Sequence, residues 1–202
     1  MGNDQQYKII GLTGPIATGK DEVAKILAKG GAYIIDADQI AHQLYSYQSP
    51  VWQELVKTFG SKILMRGGKI NRHKLGEIVF ADRNKLKLLN SIVHPQLKEE
   101  IIKIIENRKS KIENRRQIIV INAAVLKEIG LVDQVDEVWV VLASKEKRLK
   151  RLIKAGLSKS DALKRINAQA PQKDYLKMAD VEIKNDGTLK QLNAKVQAHL
   201  QV

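Results

Sequence analysis

A chain of 202 residues with 44% hydrophobic side chains is long enough for one α/β domain carrying an inserted subdomain and too short for an array of domains. It has no cysteine, which excludes disulfides and thiolate-bound metal, residues 1–6 are polar, and no apolar run approaches the ~18–20 residues of a bilayer-spanning helix, so a soluble, cytoplasmic protein without a signal peptide or membrane segment is expected. The net charge of +13 asks for a polyanionic partner, and with aromatics at only 4%, none interleaved with the basic runs, that partner is expected to be a polyphosphate ligand rather than nucleic acid.

The first predicted unit is strand, glycine loop, helix. Ile9-Ile10-Gly11-Leu12-Thr13 is an apolar run that leads into Gly14; Gly19-Lys20 follows at P-loop spacing, and Val23, Ala24, Ile26 and Leu27 then recur at helical period. In such a loop, successive backbone N–H groups and the helix N-terminus face phosphates, and the lysine carries charge to the transferring group. Gly14, Ile16, Ala17, Thr18, Gly19, Lys20, Asp21 and Glu22 are therefore the candidate nucleotide-binding residues. The eighth loop position, where a Ser or Thr hydroxyl ligates Mg²⁺, is Asp21, the candidate metal ligand. Its carboxylate is a hard oxygen donor, yet it also sets negative charge beside the β- and γ-phosphates. A glycine-rich turn without ligand is the competing reading.

Ala32-Tyr33-Ile34-Ile35 reads as a second buried parallel strand, stopped by Asp36-Ala37-Asp38. Ligands of open α/β sheets bind beyond the carboxyl ends of strands, which makes Asp36 and Asp38 candidates, although one of them can instead cap the helix that Ile40, Ala41 and Leu44 continue. Residues 50–112 are predicted to be an all-helical subdomain. One helix carries Val51, Trp52, Leu55, Val56 and Phe59 and closes at Gly60; after the turn Arg66-Gly67-Gly68 a second covers 72–80; a third carries Leu86, Leu89 and Val93. His94-Pro95 is expected to break the chain before a long fourth helix with Leu97, Ile101, Ile104, Ile105 and Ile112, whose end (Arg108, Lys109, Lys111, Arg115, Arg116) reads as a solvated basic terminus.

Gln117-Ile118-Ile119-Val120-Ile121 is the third strand, with Asn122-Ala123-Ala124-Val125-Leu126 leaving its carboxyl end, and Glu137-Val138-Trp139-Val140-Val141-Leu142 is the fourth. Ser144 can cap a basic helix over 145–154 whose apolar face is Leu149, Leu152 and Ile153, with Lys147, Arg148, Lys150, Arg151 and Lys154 outside it. Ser158 opens another helix to Gln169, stopped by Pro171; Val181-Glu182-Ile183 is a short last strand, and Leu189, Leu192, Val196 and Leu200 mark a final helix. The sequence carries no internal repeat and no signal for oligomeric state.

Taken together, the ordered pieces resemble the dephospho-coenzyme A kinase family over nearly the whole chain. They are Gly-Leu-Thr-Gly-Pro-Ile-Ala-Thr-Gly-Lys at 11–20, Ile-Asp-Ala-Asp-Gln-Ile-Ala-His at 35–42, Ile-Asn-Arg at 70–72 with Val79-Phe80, His94-Pro95, Ala-Leu-Lys-Arg-Ile at 162–166 with Gln169, and Ala179-Asp180 with Asn185 and Gly187. The resemblance implies an α/β P-loop NTPase three-layer fold: a five-stranded parallel sheet (core 7–49, 117–144 and 179–202), a helical acceptor-binding subdomain at about 50–112, and a mobile lid at about 145–178. It implies ATP-dependent phosphorylation of the ribose 3′-hydroxyl of dephospho-coenzyme A, with Mg²⁺. It also implies Lys20, Asp38 and Arg151 as catalytic residues, with Asp38 the base, and Asp36, Asp38, Arg72, His94 and Arg165 on the acceptor and lid sides.

Several positions depart from the family pattern. Ala17 stands where glycine is usual, so a left-handed backbone there would cost about 1–2 kcal/mol. Pro15 removes an amide; Ala124-Val125-Leu126 replaces the family's Pro-Leu-Leu, with Glu128 as the candidate following acid; the lid's usual basic-acidic pair is shortened to Lys154-Ala155 before Gly156-Leu157-Ser158, which takes away one lid cation; and Asp21 replaces the hydroxyl. The alternatives are a P-loop kinase of another nucleotide or small metabolite, a silent nucleotide binder, or a nucleic-acid binder.

Overall fold

The computed structural model describes residues 7–110 and 117–200. Five strands form one parallel sheet: β1 (Tyr7–Thr13), β2 (Tyr33–Asp36), β3 (Gln117–Asn122), β4 (Glu137–Leu142) and β5 (Val181–Lys184), in the order β2-β3-β1-β4-β5. β1 is central because its two neighbours cover it on both edges, Leu12 lying opposite Asn122 of β3 and Thr13 opposite Val140 of β4. Strands buried on both faces need continuous apolar runs, and the buried stretches Ile9–Leu12, Ile119–Ile121 and Val138–Leu142 supply them. That register brings the carboxyl ends of β1 and β3 side by side.

The first compact unit holds residues 1–35 and 108–202. Around its sheet are α1 (Lys20–Lys29), and further along the chain the helices over 145–154, 159–167, 172–176 and 189–200. Ile10, Leu12, Val23, Leu27, Val120, Trp139, Val141, Ile183, Leu192 and Val196 form its main core. Two aspartates extend the sheet with side chains. Asp136 accepts from the Ile9 amide at 2.7 Å while its own amide donates to the Ile9 carbonyl, and Asp180 does the same for Val138. The Ala-Asp of the family pattern therefore serves the fold, because Asp180 supplies an acceptor where β4 would otherwise present a bare N–H.

The second unit, residues 36–107, is helical: α2 (Ala37–Leu44), α3 (Pro50–Phe59), α4 (Arg72–Phe80) and α5 (Arg83–Lys109), which runs two residues past it. Each of the first three has a side-chain cap: Asp36 accepts from Gln39 N, Ser49 from Trp52 N and Asn71 from Lys74 N. Val51, Leu55, Phe59, Ile63, Ile70, Leu75, Val79 and Val93 form its core.

Three expectations are corrected. The chain does not break at His94-Pro95; α5 is one helix of 27 residues with Pro95 inside it. Pro95 forfeits one backbone bond at a cost of roughly 3 kcal/mol, but Val93, Leu97, Ile101 and Ile105 recur every four residues and are all buried, each contributing about 1.5–3 kcal/mol. The basic end of that helix is not simply solvated, because the Arg108 guanidinium stacks 4.6 Å from the Tyr33 ring and donates to Gln117, and Lys109 lies 4.7 Å from the Tyr7 ring. Ile112, Lys111, Arg115 and Arg116 lie outside the described residues. Beyond β4, α6 (Lys145–Lys154) starts at Ser144 as expected, but Arg148 is buried, not on the solvated face. α7 (Lys159–Asn167), α8 (Gln172–Leu176) and α9 (Leu189–Leu200) complete the chain, Pro171 standing as N-cap of α8.

Candidate active site

Residues 13–20 turn from β1 into α1 as a loop whose conformation only certain residues permit. Gly14 has φ 153°, and a Cβ there would stand 2.3 Å from the Val141 carbonyl oxygen, so any side chain would collide with β4. Gly19 has φ 92°, and a Cβ there would stand 2.3 Å from Asn185 Nδ2. Ala17 is left-handed, φ 61°. Its methyl packs on the small cluster of Leu152, Ala162 and Ile166 beneath α6 and α7. The left-handed penalty of about 1–2 kcal/mol is opposed by that contact and by the ~0.4–1 kcal/mol that alanine saves by narrowing the unfolded ensemble. Ala17→Gly is therefore expected to leave thermal stability within about 1 kcal/mol of wild type, whereas β-branched Ala17→Val loses ~2 kcal/mol or more in a denaturant titration.

The carbonyl side of the loop is clamped by side chains from later in the sequence. Arg148 Nε donates to the Ile16 carbonyl at 2.8 Å, and Arg151 Nη1 donates to those of Ala17 at 3.0 Å and Thr18 at 2.8 Å. Asn185 Nδ2 also donates to Thr18 O at 2.8 Å, while its own carbonyl accepts from Arg151 Nη2. Gln169 Oε1 accepts both the Ile16 amide and Arg148 Nη2, each at 2.8 Å. The Thr18 hydroxyl, also buried, donates to Pro15 O. Because a trans peptide points its N–H opposite to its C=O, holding the Ile16 and Thr18 carbonyls against the arginines turns the Ala17 and Gly19 amides the other way. The amides of Ala17, Gly19, Lys20 and Asp21 take part in none of these bonds among the described residues. A fixed array of N–H donors at the start of α1 is an anion site by geometry and by helix dipole.

Beside that array sit Lys20, Asp21 and Asn122. Lys20, first residue of α1, is only 8% exposed, and its Nζ donates to Asn122 Oδ1 and, at 3.3 Å, to Asp21 Oδ1. Asn122 is 3% exposed at the carboxyl end of β3, placed there by pairing with Leu12, and its Nδ2 donates to the same Asp21 oxygen at 3.1 Å. Partial burial pushes the Asp21 carboxyl up, but the bond from Asn122 and the charge and bond of Lys20 outweigh it and hold the group below its ordinary range. The Asp21 side chain is 75% exposed, so its carboxylate faces outward from the cluster. Among the described residues, no three His, Asp or Glu side chains converge. The one carboxylate oxygen left outward on Asp21 suits a hard divalent cation that takes most of its ligands from phosphates and water.

The remaining expected site residues divide between the two units. Glu22 pairs with Lys25 at 2.7 Å on the surface of α1. Arg165 is exposed on α7. In the helical unit, Asp36 is spent as the cap of α2, Asp38 is exposed in the first turn of the same helix, and His94 is half-buried in mid-α5. Arg72 is exposed at the start of α4, near enough to Tyr45 that its charge opposes the upward push that burial gives the phenol.

Sequence reasoning assigned no role to Asn122, Arg148, Gln169 or Asn185. Gln169 and Asn185 stood only as pieces of the family pattern, and the other two carried a local signal: Asn122 is the lone polar residue ending an apolar run, and Arg148 stands four before buried Leu152, on the inward stripe of α6.

Comparison with known proteins agrees with this geometry. The family model described as dephospho-CoA kinase matches residues 8–191. The chain is 43% identical to the dephospho-CoA kinase of Carboxydothermus hydrogenoformans, covering 96% of this chain and 93% of that one, and 40% identical to that of Bacillus licheniformis, covering 93% and 92%. Among solved structures, it is similar to a Thermus thermophilus protein (TM-score 0.78, 29% identity, 96% of both chains) and to the dephospho-CoA kinase of Campylobacter jejuni (TM-score 0.70, 27% identity, 96% of both chains). A shikimate kinase from Acinetobacter baumannii shares the fold at 14% identity and a TM-score of 0.54.

Proposed function

The chain belongs to the dephospho-CoA kinase family, and on that premise we propose that it transfers the γ-phosphoryl group of ATP to the ribose 3′-hydroxyl of dephospho-coenzyme A, the last step of coenzyme A synthesis. The observation that carries this reading is the loop whose carbonyls are clamped from behind by Arg148, Arg151 and Asn185, so that its amides and Lys20 are set for phosphates before any ligand arrives. Transfer between two phosphate-bearing ligands needs little covalent chemistry from the protein and much positioning.

In this reading, the loop amides of Ala17 to Asp21 bind the β-phosphate of ATP and Lys20 neutralises charge that develops on the transferring group. Arg151 acts on that group through the loop, by holding the Ala17 and Thr18 carbonyls, and is a positioning residue. Asp21, through the carboxylate oxygen left facing outward, is the side chain that would hold Mg²⁺. When bound, Mg²⁺ would supply positive charge against the charge that develops on the phosphates. Asp38 accepts the proton of the ribose hydroxyl. Asp36, Arg72 and His94 serve the acceptor from the helical unit, Arg165 serves it from a lid built on α6 to α8, and the lid closes over both ligands. With no helix among the described residues long and apolar enough to cross a membrane, a cytoplasmic enzyme fits its phosphorylated substrates.

The test is a coupled assay of the purified chain with ATP, Mg²⁺ and dephospho-coenzyme A, run beside a panel of nucleoside monophosphates and shikimate. Turnover confined to dephospho-coenzyme A is the expected result. Preference for any other acceptor would replace the substrate while leaving the phosphate loop in place.

A further inference from the structure

Consecutive peptide units of the phosphate loop are each held by a side chain from a distant part of the chain. Arg148 takes the Ile16 carbonyl, Arg151 takes those of Ala17 and Thr18, and Asn185 shares that of Thr18. The unit that precedes them, between Pro15 and Ile16, is held from its other side: its N–H donates to Gln169 Oε1 at 2.8 Å. The same oxygen accepts Arg148 Nη2 at 2.8 Å, while Arg148 Nε reaches the Ile16 carbonyl. We infer that Gln169 is a positioning residue of the phosphate loop: one side-chain oxygen fixes the peptide before Ile16 and also the guanidinium that fixes the peptide after it, and so aims the amides that follow. The inference rests on the reading of the loop as an ATP site.

Two N–H donors converge on one atom, which requires oxygen there and fixes the orientation of the carboxamide. With the peptide planes on both sides of Ile16 held, its φ and ψ are set, and the chain enters Ala17 in the direction that its left-handed φ of 61° continues. The Ile16 amide is thereby withheld from the anion array, which begins at Ala17. Apolar contacts act in the same sense, because the Ile16 and Ala17 side chains pack on the cluster of Leu152, Ala162 and Ile166. Helices α6 and α7 therefore form the back of the loop, and Gln169, two residues past the end of α7, ties that back to the backbone it supports. Without its oxygen, Arg148, only 8% exposed, would leave a guanidinium nitrogen short of an acceptor, and the Ile16 N–H would lose the partner that turns it away from the ligand.

The test compares two substitutions of similar length. Gln169→Met removes the acceptor, whereas Gln169→Glu keeps an oxygen for both donors and sets its charge against Arg148. We would measure the affinity of the β,γ-imido analogue of ATP by calorimetry, and the KM for ATP and for dephospho-coenzyme A in the coupled assay. Gln169→Met is expected to weaken the analogue and raise the KM for ATP by about tenfold, the KM for dephospho-coenzyme A changing by less than about threefold; Gln169→Glu should stay within about threefold of wild type in all three. Undiminished affinity in Gln169→Met, or a Gln169→Glu chain as weak as Gln169→Met, would overturn the proposal. If Gln169→Met does not fold, amide hydrogen exchange of the wild type decides. The Ile16 amide should be protected without ligand, and those of Ala17 and Gly19 only once the analogue is bound. An Ile16 amide that exchanges as fast as those two in the free protein would equally overturn it. Absence of analogue binding by the wild type would fail the reading of the loop instead, so the two failures are distinguishable.

Discussion

Lys20→Ala is expected to lower kcat by roughly 10²–10³-fold, the loss typical of removing one preorganised donor from the developing charge of a transition state. The magnitude is set by burial. An exposed lysine is a mobile, hydrated charge, whereas Lys20 is 8% exposed and pinned through Asn122 and Asp21 beside the loop amides. A charge that is already oriented and desolvated does not have to reorganise during the reaction. The same burial gives the substitution a structural consequence, because it leaves Asn122 Oδ1 without its ammonium donor at a buried position, at a cost of about 1–3 kcal/mol. Circular dichroism and a thermal melt should therefore show a folded, somewhat less stable chain, and the assay a nearly inactive one. Turnover with unchanged constants would sink the P-loop reading. Lys20→Arg should not rescue, since the planar guanidinium cannot enter a cleft shaped for an ammonium between an amide oxygen and a carboxylate.

The loop was legible because glycine spacing, a lysine and a change of period from strand to helix are written in consecutive residues. Gly14 and Gly19 stand where a Cβ would strike Val141 and Asn185, contacts that show in the sequence only as a need for glycine. The clamp on the loop's far side was not legible. Arg148, Arg151, Gln169 and Asn185 lie more than 130 residues away in the chain; Arg148, Arg151 and Asn185 aim donors at backbone carbonyls and Gln169 accepts a backbone amide, and such bonds to backbone have no sequence signature. Local rules also failed where packing overrode them. Pro95 should end a helix by its missing N–H, but the stripe Val93, Leu97, Ile101, Ile105 runs through it with unbroken four-residue spacing. Arg148 reads as a solvated cation by residue type, while its place on the stripe of Leu152 draws it inward, where Gln169 and the Ile16 carbonyl satisfy it. Of the two acids after β2, the sequence could say that one caps α2; the choice of Asp36 needs backbone angles, φ −89° and ψ 101°, that put its carboxylate on Gln39 N.

That choice sets up the second large effect. With the cap supplied by Asp36, Asp38 is not needed to start α2, where its first-turn charge complements the helix dipole by ~0.3–1 kcal/mol. Asp38→Asn is nevertheless expected to lower kcat by about 10²–10⁴-fold, the range for loss of a general base. The amide is the same size and can still accept a hydrogen bond from the ribose hydroxyl, so the KM for dephospho-coenzyme A should change by less than about tenfold. What the amide lacks is the capacity to take the proton as the hydroxyl attacks phosphorus. Two readouts separate this from a structural effect. The pH profile of kcat should lose its acidic limb, because that limb reports ionisation of the base, and the melting temperature should stay within a few degrees of wild type. Asp36→Asn is the matched control for the helix: asparagine caps about as well as aspartate, so its melting temperature should match wild type. A normal kcat in Asp38→Asn, with its acidic limb intact, would move the base elsewhere and leave Asp38 as a helix-terminal charge.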